Sequence, residues 1–113
     1  MSEPERPAEA GAEEEKAQAD QARALALLQA THKFPVDYHV SVIAMNVDDV
    51  ITEMRAAVEE GLAAPLPDDA YQTVPSSGGR YASHRFRVPC ETAEAVLELY
   101  ARIRRVKGVV SIL

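Results

Sequence analysis

The hydrophobic pattern of the chain changes near residue 34. Residues 1–33 are dominated by Ala and Glu, and their only apolar stripe is a narrow one formed by Ala22, Leu25 and Leu28. After that point, apolar residues recur with the periods of strands and helices. The pattern predicts an acidic leader over residues 1–33, disordered or partly helical, and a folded domain over residues 34–113. Within the leader, residues 13–31 favour a helix, either solvated or docked on a partner or on the folded domain.

The folded part begins with a strand and an amphipathic helix. Residues 38–44 alternate, with Tyr38, Val40 and Val42 on one face and His39, Ser41 and Ile43 on the other. Residues 47–60 place apolar side chains at helical spacing, with Asn46 as the predicted N-cap and Gly61 at the predicted end. The remaining predicted elements are strands over residues 71–74 and 81–88, the second closed by Pro89, a helix over residues 92–107 and a strand over residues 109–113.

This order of elements predicts the fold class. The succession β-α-β-β-α-β indicates an α+β, ferredoxin-like domain with a four-stranded antiparallel sheet and both helices on one face. The other face is left open. By strand parity the open face carries Ser41, Ile43, Tyr81, Ser83, Arg85 and Arg87, whereas His84 points into the core.

Charge and composition narrow the classes of function. The formal charge is −6, and residues 34–113 hold 11 acidic against 8 Lys and Arg side chains, which disfavours nucleic acid as a partner. With Cys90 as the only cysteine, no disulfide can form within the chain. Neither a secretion signal nor an apolar run of membrane-spanning length is present, so we expect a cytoplasmic protein without membrane contact.

The glycine-rich loop Ser76-Ser77-Gly78-Gly79-Arg80 has two interpretations. It lies between two predicted strands, so the glycines fit the positive φ of a hairpin turn. A phosphate loop would instead need a Lys and a hydroxyl before a helix, which this stretch does not provide. A small anion held by the loop remains the alternative, and these five residues are the candidate ligand loop.

The other potentially reactive side chains give weaker evidence for a metal site or a catalytic site. His84 and His39 point to opposite faces of the sheet, and no metal-binding spacing occurs, so no metal and no cofactor are expected. Cys90 is either a semi-buried structural residue or, just before a helix, a thiol with lowered pKa. No serine stands in a nucleophile elbow. We therefore expect a protein that is not an enzyme.

The open face is the strongest candidate for function. Its polar and locally basic character fits a solvated face, a surface that binds a protein, or a surface that binds RNA. Its candidate contact residues are Ser41, Tyr81, Ser83, Arg85 and Arg87.

Four stretches of the domain, FPVDYHVSV, VPSSGGRYASHRFRV, AVLELYARI and VKGVVSIL, resemble the YbeD-like, or lipoate-regulatory-like, family of small bacterial proteins of unknown function. The most specific element is the run P-S-S-x-G-x-Y-x-S from Pro75 to Ser83, followed by Leu99-Tyr100. The resemblance covers residues 34–113 and implies a fold similar to the ACT regulatory domains, a regulatory role linked to lipoate synthesis, and no catalytic residues.

Together these observations favour a non-enzymatic regulatory or adaptor domain that acts by binding another, unidentified protein. The alternative is a domain that senses an amino acid or small anion, and the third possibility is RNA binding. A homodimer is expected, because the domain is small and its sheet edges are unprotected.

Overall fold

A computed structural model describes residues 5–113, with side chains from Glu13 onward, and the chain divides into two compact units, Met1–Lys33 and Phe34–Leu113. The first unit contains one helix, α1, Glu5–Thr31, which begins earlier than the helix expected over residues 13–31. Its abundance of Ala and Glu, both strong helix formers, explains the helix. Residues 1–4 of the predicted leader lie outside the described residues.

The second unit is a four-stranded antiparallel sheet with two helices on one face. The strand order is β2-β3-β1-β4, consistent with a ferredoxin-like βαββαβ arrangement, so the predicted fold class is confirmed. Its elements are β1 Val36–Met45, α2 Asp48–Glu59, β2 Tyr71–Pro75, β3 Tyr81–Cys90, α3 Ala93–Arg104 and β4 Val109–Ile112.

The core lies between the sheet and the two helices. Strands β1 and β3 pair along their whole length, from Val36 opposite Cys90 to Met45 opposite Tyr81. Alternate residues of both strands are buried, as the period of two predicts. Helices α2 and α3 complete the core with Met54, Val58, Val96, Leu99 and Ile103, all fully buried. Among the described residues, His84 is the only buried one that is polar.

Two predicted boundaries are wrong. Asn46 does not cap α2: Val47 occupies the cap position, and Asn46 Nδ2 instead donates to the Gly79 carbonyl oxygen at 3.3 Å. Pro89 does not close β3, which continues to Cys90. The pairing of β2 with β3 ends at Phe86 of β3, so no strand lies beside Pro89 on that side. The missing backbone N–H of Pro89 therefore costs no hydrogen bond of the sheet.

The loop between α2 and β2 also differs in detail, since it contains a single 3-10 turn at Asp68–Ala70. Among the helices that the structure describes, none is long and apolar enough to cross a membrane.

Candidate functional site

The open face of the sheet is the surface opposite α2 and α3. The register sets Ser41 directly opposite Arg85 and Ile43 opposite Ser83, with these side chains directed away from the core. Arg87 lies opposite His39, and Tyr81 opposite Met45. The structure therefore brings the five candidate contact residues onto one surface of two paired strands.

Arg85 occupies the centre of this face. Its register partner on one side is Ser41 of β1, and on the other side it is Gln72 of β2. The three residues form a row across three strands, which we call the Arg85 row. Among the described residues, the side chain of Arg85 makes no hydrogen bond and no ion pair.

Arg87 lies one step along β3 and has an acidic neighbour. Its guanidinium is 3.6 Å from the Asp69 carboxylate, and both side chains are open to solvent. A pair of this kind is screened by water and contributes little to stability. Beside it is a shallow cavity of about 320 Å³ whose lining includes His39, Ser41, Asp69, Gln72, Arg85 and Arg87.

Apolar side chains flank the charged centre. Tyr81 of β3 and Val74 of β2 each have 37% of their surface exposed. Val74 lies opposite Ser83. The Arg80 guanidinium is 5.9 Å from the centre of the Tyr81 ring, within range of a cation–π contact. Leu113, which is 71% exposed, donates its backbone N–H to the Ser41 carbonyl at 2.8 Å. Sequence reasoning missed Gln72, Val74 and Leu113 because their pairing partners were not known.

The candidate ligand loop forms the turn between β2 and β3. The Ser76 N–H and Oγ both donate to the Tyr81 carbonyl, at 2.9 and 2.7 Å, and the Gly79 N–H donates to the Ser76 carbonyl. Gly78 and Gly79 have φ values of 89° and 74°. Positive φ at two adjacent glycines is what a tight hairpin requires. Ser77 and Arg80 are exposed at the tip of this turn.

His84 lies on the other side of the sheet, fully buried as strand parity predicts. Its Nδ1 is 2.7 Å from the Tyr71 hydroxyl, which accepts a hydrogen bond from Thr73 Oγ1. Its Nε2 has no hydrogen-bond partner among the described residues. Burial lowers the pKa of His84, and the backbone at Ala44 and Met45 opposes that effect. The sequence contained no signal for Tyr71 as the partner, because the pairing of β2 with β3 creates the contact.

The structure does not bring His39 and His84 together. His39 lies on the open face, opposite to His84, and His32 belongs to the first unit. Over the described part of the chain, no group of three His, Cys, Asp or Glu side chains could hold a metal ion.

Cys90 is buried, not semi-buried, at the end of β3. Burial raises the pKa of its thiol, an effect that Arg102 opposes and Asp37 reinforces. The thiol is therefore held in its protonated, less reactive form. A larger and mostly apolar cavity of about 580 Å³ lies nearby, between the 61–67 loop and the start of α3.

Comparison with known proteins identifies a family for this chain. A search among curated proteins finds no match to the chain. The model of a family described as a protein of unknown function (DUF493) matches residues 29–113, which include the whole sheet and both of its helices. Because this match covers most of the sequence, the chain belongs to the DUF493 family.

Proposed function

We propose that the open face of the sheet binds another protein, so that this domain works as a cytoplasmic, non-enzymatic regulatory or adaptor module. The observation that carries the proposal is the combination on the open face of exposed Tyr81 and Val74 with Arg85, whose side chain makes no hydrogen bond or ion pair with another described residue. Arginine and tyrosine are enriched in protein interfaces, where an apolar contact is combined with directed hydrogen bonds.

The two alternatives have less support. Sensing of a small anion by residues 76–80 would depend on the exposed Ser77 and Arg80, because the Ser76 N–H and Oγ are engaged within the turn. RNA binding would need several stacking aromatics, and Tyr81 is the only Tyr or Phe that the described strands direct to the open face. The relation to the YbeD-like proteins, the ACT-like character and the link to lipoate synthesis stay predictions.

A homodimer is part of the same proposal. Strands β2 and β4 are the edges of the sheet, and neither has a further strand to pair with among the described residues. Unpaired edges of this kind favour pairing between chains. A sedimentation experiment at tens of micromolar protein tests this expectation, and a monomer there would remove it.

The test of protein binding uses matched charge reversals. A tagged chain is expressed in its own host, and the proteins and RNA that copurify are identified. We expect one specific protein to be retained by the wild type and lost from the Arg85→Glu, Arg87→Glu double variant. An Arg105→Glu, Lys107→Glu double variant is the control, because it changes the charge equally at exposed positions after α3.

Circular dichroism shows whether each variant is folded. Retention of the same protein by the wild type and by the folded Arg85 and Arg87 variant would contradict the proposal. Retention of RNA with a strong salt dependence would favour the third alternative instead.

A further inference from the structure

We propose that the Arg85 row, formed by Gln72, Arg85 and Ser41, recognises a carboxylate supplied by an Asp or Glu side chain in an acidic segment of the partner protein. This inference rests on the proposed function, because the row lies on the face assigned above to a protein partner. It specifies the chemical group that is recognised and the residues that bind it.

The geometry of the row fits a carboxylate. Residues directly opposite each other in antiparallel strands have Cβ atoms about 4.5–5.5 Å apart, so Ser41 and Gln72 flank Arg85 on both sides. A guanidinium offers a planar fork of donors that matches the two oxygens of a carboxylate. The Ser41 hydroxyl and the Gln72 amide add one donor group on each side.

The hydrogen-bonding capacity of the row is unused. None of its three side chains makes a hydrogen bond with another described residue. Other arginines of the domain have partners: Arg102 Nε donates to the Ala57 carbonyl at 2.7 Å, and Arg87 lies beside Asp69. Arg85 is therefore available for a group from outside the chain.

The charge and the size of the cavity beside the row favour an acidic side chain. Its charged lining residues are Arg85, Arg87 and Asp69, so positive charge exceeds negative charge there. The cavity of about 320 Å³ is also at the lower limit of ligand pockets, and so suits one side chain better than a cofactor.

The apolar neighbours of the row favour a protein segment over a free acid. Val74 and Ser83 lie opposite each other two residues from Gln72 and Arg85, so their side chains share the same face. Exposed Val74 and Tyr81 can contact residues that flank the acidic side chain in a peptide. A free carboxylate has no such residues and would leave these side chains uncovered.

The experiment is an NMR titration of the full, isotope-labelled chain at low salt with a capped hexaglutamate peptide. We expect shifts of the backbone amides of Ser41, Gln72 and Arg85. Hexaglutamine is the uncharged control and should cause no shift. Arg85→Gln should weaken binding by about tenfold or more, since it removes hydrogen bonds to a charged group. Arg105→Gln, which removes an equal charge at an exposed position after α3, should bind as the wild type does.

Three outcomes would overturn the inference. Hexaglutamate could cause no shift at the row, or Arg85→Gln could bind it as tightly as Arg105→Gln does. Succinate could bind as tightly as the peptide, in which case the ligand is a free acid. A failure here is distinguishable from a failure of the proposed function: the copurifying protein would still be lost from the Arg85 and Arg87 double reversal, although hexaglutamate did not bind.

Discussion

Acidification should destabilise the domain through His84. This side chain is 0% exposed, and its Nε2 has no hydrogen-bond partner among the described residues. Because Thr73 donates to the Tyr71 oxygen, the Tyr71 hydrogen is left to donate to Nδ1 of His84. Protonation of Nδ1 would place two hydrogens between the Tyr71 oxygen and Nδ1 and would put a charge in the core. Both effects disfavour the protonated form of His84.

The sign and the size of the effect follow from the lowered pKa of His84. Above about pH 6.5, the ordinary value for His, neither the folded nor the unfolded state holds the proton, and the contribution of His84 to stability is constant. Below it, the unfolded state binds a proton that the folded state does not. The free energy of unfolding then falls by up to about 1.4 kcal/mol per pH unit, until the pH reaches the lowered pKa of the folded state.

Urea unfolding at about pH 7.5, 6.5 and 5.5 measures this slope, since most carboxylates titrate lower. We expect the wild type to lose up to about 1 kcal/mol between the last two values, because the unfolded-state His is already half protonated at its ordinary pKa of about 6.5. His84→Gln, which cannot titrate, should lose much less. His39→Gln, on the exposed face of the neighbouring strand, should keep the wild-type slope. An equal slope in His84→Gln and the wild type would refute the reasoning.

Three further predictions concern stability and thiol chemistry. Gly108→Ala should lower the stability of the domain by more than the about 1–2 kcal/mol typical of a left-handed residue, because the new Cβ would lie 2.8 Å from Val50. Gly78→Ala, whose Cβ would meet open space, should lower it by no more than that amount. Thermal unfolding compares the two variants. Thr92→Ala should cost about 1 kcal/mol in urea, since it removes the cap of α3; no loss would contradict the cap. The Cys90 thiol should react with a thiol reagent far more slowly in the native state than in urea, because it is buried with a raised pKa; equal rates would refute this.

Part of the candidate site could be predicted from the sequence. Strand parity alone separated Arg85 and Arg87 from His84, because successive side chains of a strand point to opposite faces. Gln72 could not be assigned to the row, since its place depends on the register between β2 and β3. The same holds for the contact between Tyr71 and His84, which brings together residues of two strands.

Local patterns determined the kinds of element, their order and the side of the sheet that is buried. These features follow from periodicity and turn chemistry, which act between residues close together in the sequence. Tertiary structure decided what depends on pairing: Asn46 binds Gly79 instead of capping α2, β3 continues through Pro89, and Arg85 lies between Gln72 and Ser41. Register is fixed by contacts across the whole sheet and core, so no single stretch of sequence contains it.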